Sequence, residues 1–161
     1  MSNTLKIFCT NTGQYIPVEG GEDLAAILRR IKSDISFSPI CARVNNKTEA
    51  LHYQVYAPKQ VEYLPIDSPS GSRVYIRSLC MMLYRAVSAC YPGAKLSIRH
   101  SVSRGYYCRI TGDITVTDEV VDTLKSYMRD LVSRDVAFER KERLTSDVIK
   151  IFEQQGLHDK V

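Results

Sequence analysis

No tract of this 161-residue sequence approaches the run of about 18 apolar residues that a membrane-spanning helix requires. Its opening, MSNTLKIFCT, lacks the basic start and apolar core of a secretory leader. Five cysteines (Cys9, Cys41, Cys80, Cys90 and Cys108) are scattered, odd in number and never spaced as CxxC. That pattern speaks against a disulfide framework and a zinc site, and for a reducing cytoplasm in which the thiols act as small buried apolar residues. The three histidines, His52, His100 and His158, form no HxxxH or HExxH pair, and neither a GxSxG elbow nor a GxxxxGKS/T phosphate loop occurs. Repeats and low-complexity tracts are also missing. With 44% hydrophobic and 25% charged residues, the chain has the composition of a folded, soluble protein of one ordinary domain or two small ones.

Acid is missing where it matters most. Residues 71–110 contain seven Arg or Lys (Arg73, Arg77, Arg85, Lys95, Arg99, Arg104, Arg109) and no Asp or Glu. Residues 1–70 are formally neutral and residues 113–161 carry −3, so the middle segment, at +7, holds the whole positive excess of a chain whose net charge is +4. Charge localised in this way points to an anionic partner better than a basic balance spread over the surface.

The order of elements follows from periodicity and turn residues. Two short apolar runs, residues 4–10 and 14–18, flank Asn11-Thr12-Gly13, which reads as a hairpin. Gly20-Gly21 breaks the second strand, and Glu22-Asp23 place acids in the first turn of a helix whose apolar stripe is Leu24, Ile27, Leu28 and Ile31. Extended pieces follow over residues 40–44, 51–55 and 61–66, with a turn at Asn45-Asn46. The ββαββ order predicts a β-grasp (ubiquitin-like) module. Asp67-Ser68-Pro69-Ser70-Gly71 reads as a linker, which places a boundary between domains 1–67 and 68–161.

Beyond it, a helix over residues 72–91 buries Ile76, Leu79, Cys80, Leu83, Val87 and Cys90, turns Arg73, Arg77 and Ser88 elsewhere, and is stopped by Pro92-Gly93. Strands follow over 95–100 and 106–111. Thr117 caps a second helix with the stripe Val120, Val121, Leu124, Tyr127, Met128, Leu131 and Val132. Residues 136–140 read as a strand, and Thr145 caps a last helix that ends at Gly156. The fold class is α+β, a β-grasp module followed by a two-layer α/β unit.

Few residues offer site chemistry. Gly20-Gly21 ahead of a helix resembles an anion cradle, but Glu22 and Asp23 would repel an anion, which leaves a plain strand–helix turn. His100 lies beside Arg99 in the basic stretch, either structural or part of a site. Tyr106-Tyr107, between Arg104 and Arg109, suit a stacking platform for unpaired bases or ordinary strand packing; alternation lets only one of the two face a groove.

In combination these residues resemble a known arrangement. The first module is similar to a TGS domain, on Ala42-Arg43-Val44-Asn45, and the second to the editing domain of threonyl-tRNA synthetase. The matching stretches are Ala94-Lys95-Leu96-Ser97-Ile98, Gly105-Tyr106-Tyr107, the helix after Thr117, Phe138-Glu139-Arg140-Lys141 and residues 151–160. The departures are equally specific. The HSxxH of the family's first long helix, whose histidines line the deacylation cleft, is replaced by Arg77-Ser78-Leu79-Cys80-Met81. Cys108 stands where an acid is expected, and Arg99-His100 where the family has Gly-Pro.

Without those groups the resemblance implies a cleft unable to activate water in the family's way, yet able to hold a phosphate or nucleotide with Arg77, Arg99 and Arg104. The same order resembles the N-terminal half of bacterial uridine kinase-like nucleoside kinases. That likeness implies a non-catalytic, regulatory nucleotide- or RNA-binding region with no cofactor of its own, ahead of a kinase domain using ATP and Mg. A threonyl-tRNA editing deacylase, a freestanding tRNA-binding module and a protein-docking TGS surface are the other readings. The expected site comprises Arg77, Arg99, His100, Arg104 and Tyr107, with no metal.

Overall fold

The computed structural model describes residues 4–103, 105–139 and 141–157. A hairpin of β1 (Thr4–Cys9) and β2 (Gln14–Glu19) begins the chain, and the loop between them turns at Gly13 with φ +69°. Alternation along both strands sends Ile7, Cys9, Ile16 and Val18 to the same buried face. The short β3 (Glu22–Asp23) leads into α1 (Leu24–Ile31), where Asp23 is the N-cap and accepts from the Ala26 N–H at 2.6 Å. Glu22 and Asp23 thus precede the helix rather than form its first turn. Leu24, Ile27 and Ile31 face the sheet.

Strands β4 (Cys41–Val44), β5 (Lys47–Glu49), β6 (Gln54–Val55) and β7 (Gln60–Leu64) complete the module. The main sheet runs β2-β1-β7-β4-β5, with β1 and β7 parallel at its centre. This is the β-grasp arrangement. Asn45 and Asn46 turn β4 into β5 with φ of 44° and 68°, the left-handed pair that a two-residue hairpin demands. Residues 51–53 do not extend β6, because the carbonyls of Leu51 and Tyr53 accept from the Ala25 and Leu24 N–H groups at the start of α1. β7 stops at Leu64 because Pro65 has no N–H to continue the ladder.

The Asp67–Gly71 stretch is not a linker. Helix α2 (Pro69–Cys90) starts inside it, with Ser68 as N-cap and Pro69 at the first helical position. Ser68 Oγ accepts from the Gly71 N–H at 3.0 Å and donates to the Pro65 carbonyl at 2.7 Å. A Cβ at Gly71 would overlap that same carbonyl, so the first turn of α2 sits directly on the end of the β-grasp sheet. Thr48 of β5 donates to Ser70 at 3.3 Å across the junction.

Strands β8 (Lys95–Val102) and β9 (Gly105–Thr111) form an antiparallel hairpin, and α3 (Asp118–Ser133) and α4 (Thr145–Gln154) follow. Thr117 caps α3 through the Val120 N–H. A second core gathers Ala86 and Val87 of α2, Leu96 of β8 and Leu124 of α3. It is thin. At 22 residues, roughly 33 Å, α2 outruns what two strands and one helix cover, so Ile76, Leu79, Cys80, Leu83 and Cys90 are only half-buried.

Residues 136–139 are not a strand. They follow a left-handed C-cap at Asp135 (φ 48°), in which the Asp135 N–H bonds to the Val132 carbonyl and the Val136 N–H to that of Leu131. Arg140, the last residue expected in that strand, lies outside the described residues. Thr145 is the first residue of α4 rather than its cap; Leu144 holds the cap position with no side-chain bond. Gly156 (φ 68°) ends the helix in the same six-to-one pattern, with the Leu157 N–H on the Phe152 carbonyl.

Candidate nucleic-acid interface

The β8–β9 ladder pairs Leu96 with Ile110 and Ile98 with Cys108, then Ser101 with Tyr106. Arg99 and His100 therefore oppose Tyr107 alone, a β-bulge that breaks the alternation where the candidate residues stand. Leu96 packs on α2, so Ile98, Cys108 and Ile110 share the helix side of the hairpin. Tyr107 and Arg109 lie on the opposite face. The His100 and Tyr107 rings meet there with centroids 5.7 Å apart and planes 34° from parallel. Arg99, His100, Tyr107 and Arg109 are all exposed, and neither arginine side chain has a hydrogen bond or ion pair among the described residues.

Three of the five expected site residues come together in this bulge: Arg99, His100 and Tyr107. Arg77 sits on α2, exposed, and nothing joins it to the hairpin residues. Arg104 lies outside the described residues. The tyrosines divide as alternation requires, but neither enters a core, since Tyr106 is 47% and Tyr107 50% exposed. His52 is exposed in the β-grasp module, and His158 lies outside the described residues. Gly20-Gly21 is a plain turn: the Gly21 N–H bonds to the Val55 carbonyl, and Glu22, held by Arg30 at 3.1 Å, accepts from the Glu19 N–H.

A cavity of about 1560 Å³ opens between α2, the start of β8 and the segment after α3. Its lining includes Met81, Arg85, Ser88, Lys95, Leu96, Ser97, Leu131, Val136 and Phe138. Met81 stands at the second HSxxH position, so an apolar thioether faces the cavity where the resemblance would put an imidazole. No histidine or cysteine lines it, and among the described residues no three His, Cys, Asp or Glu side chains are placed to hold a metal. Partial burial, and then the nearby Cys80 thiol, push the Cys108 pKa up, which leaves the position of the expected acid occupied by a neutral thiol. Two carboxylates, Asp135 and Glu139, line the cavity as well. Arg85 and Lys95, two cations of the acid-free stretch that were not singled out as site residues, line it too; the absence of acid from residue 71 to 112 was the available signal.

The described chain is thus a β-grasp module leading into an α/β unit that carries a basic hairpin. No protein-family model matches the chain. Curated relatives do: it is 25% identical over 152 residues to the threonine–tRNA ligase of Clostridium kluyveri, covering 94% of this chain and 24% of that protein. The threonine–tRNA ligase of Rubrobacter xylanophilus is 29% identical over 130 residues, 81% of this chain and 20% of the ligase. That of Clostridium tetani is 26% identical over 139 residues, 86% and 22%. Nearly the whole chain is thus similar to part of a threonine–tRNA ligase, and it spans a quarter or less of the relatives it matches. Among the described residues no helix is long and apolar enough to cross a membrane.

Proposed function

We propose that this chain is a non-catalytic RNA-binding region that holds tRNA, or an RNA of similar form, through the outer face of the β8–β9 hairpin. The observation that carries this reading is the exposed His100–Tyr107 ring pair at a β-bulge, flanked by Arg99 and Arg109, in a segment free of acid from residue 71 to 112. An aromatic pair in solvent is a surface on which an unpaired base stacks, and unpaired arginines beside it take phosphate oxygens in forked pairs. Arg77 and Arg104 belong to the same acid-free segment of the sequence. Residues 1–67 and 68–161 act as two units, the first supporting the second.

The ligases named above support a tRNA partner ahead of the nucleoside kinase that the sequence also resembles; ATP and Mg belong to that kinase reading and have no role in this region. Deacylation is not proposed, because the HSxxH positions hold Arg77 and Met81. Electrophoretic titration of a tRNA transcript with the protein tests the reading. Arg99→Ala with Tyr107→Ala is expected to weaken binding tenfold or more, and seryl-tRNA is expected to survive incubation with the wild-type chain. Unchanged RNA affinity in the double variant would overturn the assignment of the hairpin, and rapid deacylation would restore the enzyme reading.

A further inference from the structure

Helix α2 carries Arg73, Arg77, Met81 and Arg85 four residues apart, each of them exposed. Side chains at that spacing form one continuous ridge inclined to the helix axis. A ridge facing only water ordinarily mixes signs, because acid–base pairs at i, i+4 stabilise a helix and like pairs weaken it. None of the 22 residues of α2 is acidic. Arg73 also stands near the N-terminal end, where the helix dipole favours the opposite charge. Among the described residues the side chains of Arg77 and Arg85 have no hydrogen bond or ion pair, and that of Arg73 only donates to Ser70 Oγ at 3.4 Å. Folding of α2 gives no reason for three such cations in a row.

A nucleic-acid backbone does. Four helical residues advance roughly 6 Å, the order of the separation between neighbouring phosphates on one strand, and each guanidinium fork matches a phosphate. At Arg85 the ridge reaches the cavity, which is lined by Lys95 of β8 as well and, after α3, by the carboxylates of Asp135 and Glu139. We propose that the Arg73–Arg77–Arg85 ridge is a phosphodiester track, a surface that grips an RNA strand by its phosphates and runs to the cavity mouth at Arg85 and Lys95. It rests on the RNA-binding reading above and adds Arg73 and Arg85 to it. An anionic membrane is the poorer match, because Leu83, Tyr84, Val87 and Cys90 of α2 pack into the core with α3 and β8, and Met81 is the one apolar residue of the ridge itself.

The test is the salt dependence of binding between the full chain and a fluorescent tRNA transcript, in wild type and in Arg73→Gln/Arg85→Gln. Each lost phosphate contact lowers the slope of log K against log salt by roughly 0.7 to 0.9, so the double variant is expected to lose about 1.5. The Arg73→Lys/Arg85→Lys variant is expected to keep most of the slope, because it keeps the charge. Wild-type binding with an unchanged slope in the Gln variant would overturn the track and leave the hairpin reading standing. No wild-type binding at low salt would overturn both. Loss of binding to phosphatidylserine vesicles, with tRNA binding intact, would assign the ridge to a membrane instead.

Discussion

Asn11 does more than turn a hairpin. Its amide donates to the Tyr63 carbonyl at 3.0 Å and accepts from the Tyr63 N–H at 2.7 Å, standing in for a strand residue at the end of β1. Tyr63 is fully buried and its hydroxyl donates to the Leu24 carbonyl at 2.8 Å, so one residue ties the loop, the central strand and the start of α1 together. Burial, with Cys9 and Glu22 nearby, raises the Tyr63 pKa far above the usual phenol range and keeps that donor protonated. Asn11→Ala leaves two partly buried backbone groups unpaired and is expected to cost about 2 kcal/mol in urea unfolding. Asn11→Asp keeps the acceptor but sets an oxygen against the Tyr63 carbonyl, and is expected to be no better. The Cys108 thiol makes a second prediction at this scale. Its pKa is raised by partial burial and by Cys80, so iodoacetamide should label it more slowly at pH 8 than a free thiol. Cys80→Ala removes one of the two causes and should speed that labelling.

Helix α2 shows how far sequence reasoning reaches and where it stops. Its stop at Pro92-Gly93 was legible, as were the Asn45-Asn46 turn and the Thr117 cap, because each depends on one residue's own conformational or hydrogen-bonding preference. Its start was not. Ser68-Pro69-Ser70-Gly71 has the composition of a loop, and only contact with Pro65 from an earlier strand makes it the first turn of a helix. Gly71→Ala is therefore expected to cost about 3 kcal/mol, read as a fall in thermal midpoint, although Ala favours helices over Gly in general. Val136-Ala137-Phe138 misled in the opposite direction. The β-branched and aromatic residues suit a strand, but the left-handed cap at Asp135 and the lack of a described partner strand leave them open beside the cavity. Of the candidate site, the excess of cations was legible in composition, whereas the bulge that gathers Arg99, His100 and Tyr107 depends on register, which no single segment encodes.

At the scale of the whole molecule, stability and binding chemistry are divided. The β-grasp half packs thirteen buried residues into one cluster, from Ile7 to Tyr63, whereas the cluster under α2 has four. Burial of apolar area sets the larger part of folding stability, so the two halves should open with different free energies. The cations are on the weaker half, where the self-repulsion of an acid-free segment lowers stability further. A bound polyanion would relieve that repulsion and add the linkage term of any ligand that prefers the folded state. Hydrogen exchange read by mass spectrometry tests both steps. Peptides from β1, β7 and α1 should exchange slowest, those from β8 and β9 tens of times faster. Saturating tRNA should slow α2, β8 and β9 while leaving β1 and β7 unchanged. Equal protection in both halves would show that the junction at Pro65 and Gly71 couples them into one cooperative unit, and that the thin core under α2 draws its stability from the β-grasp sheet.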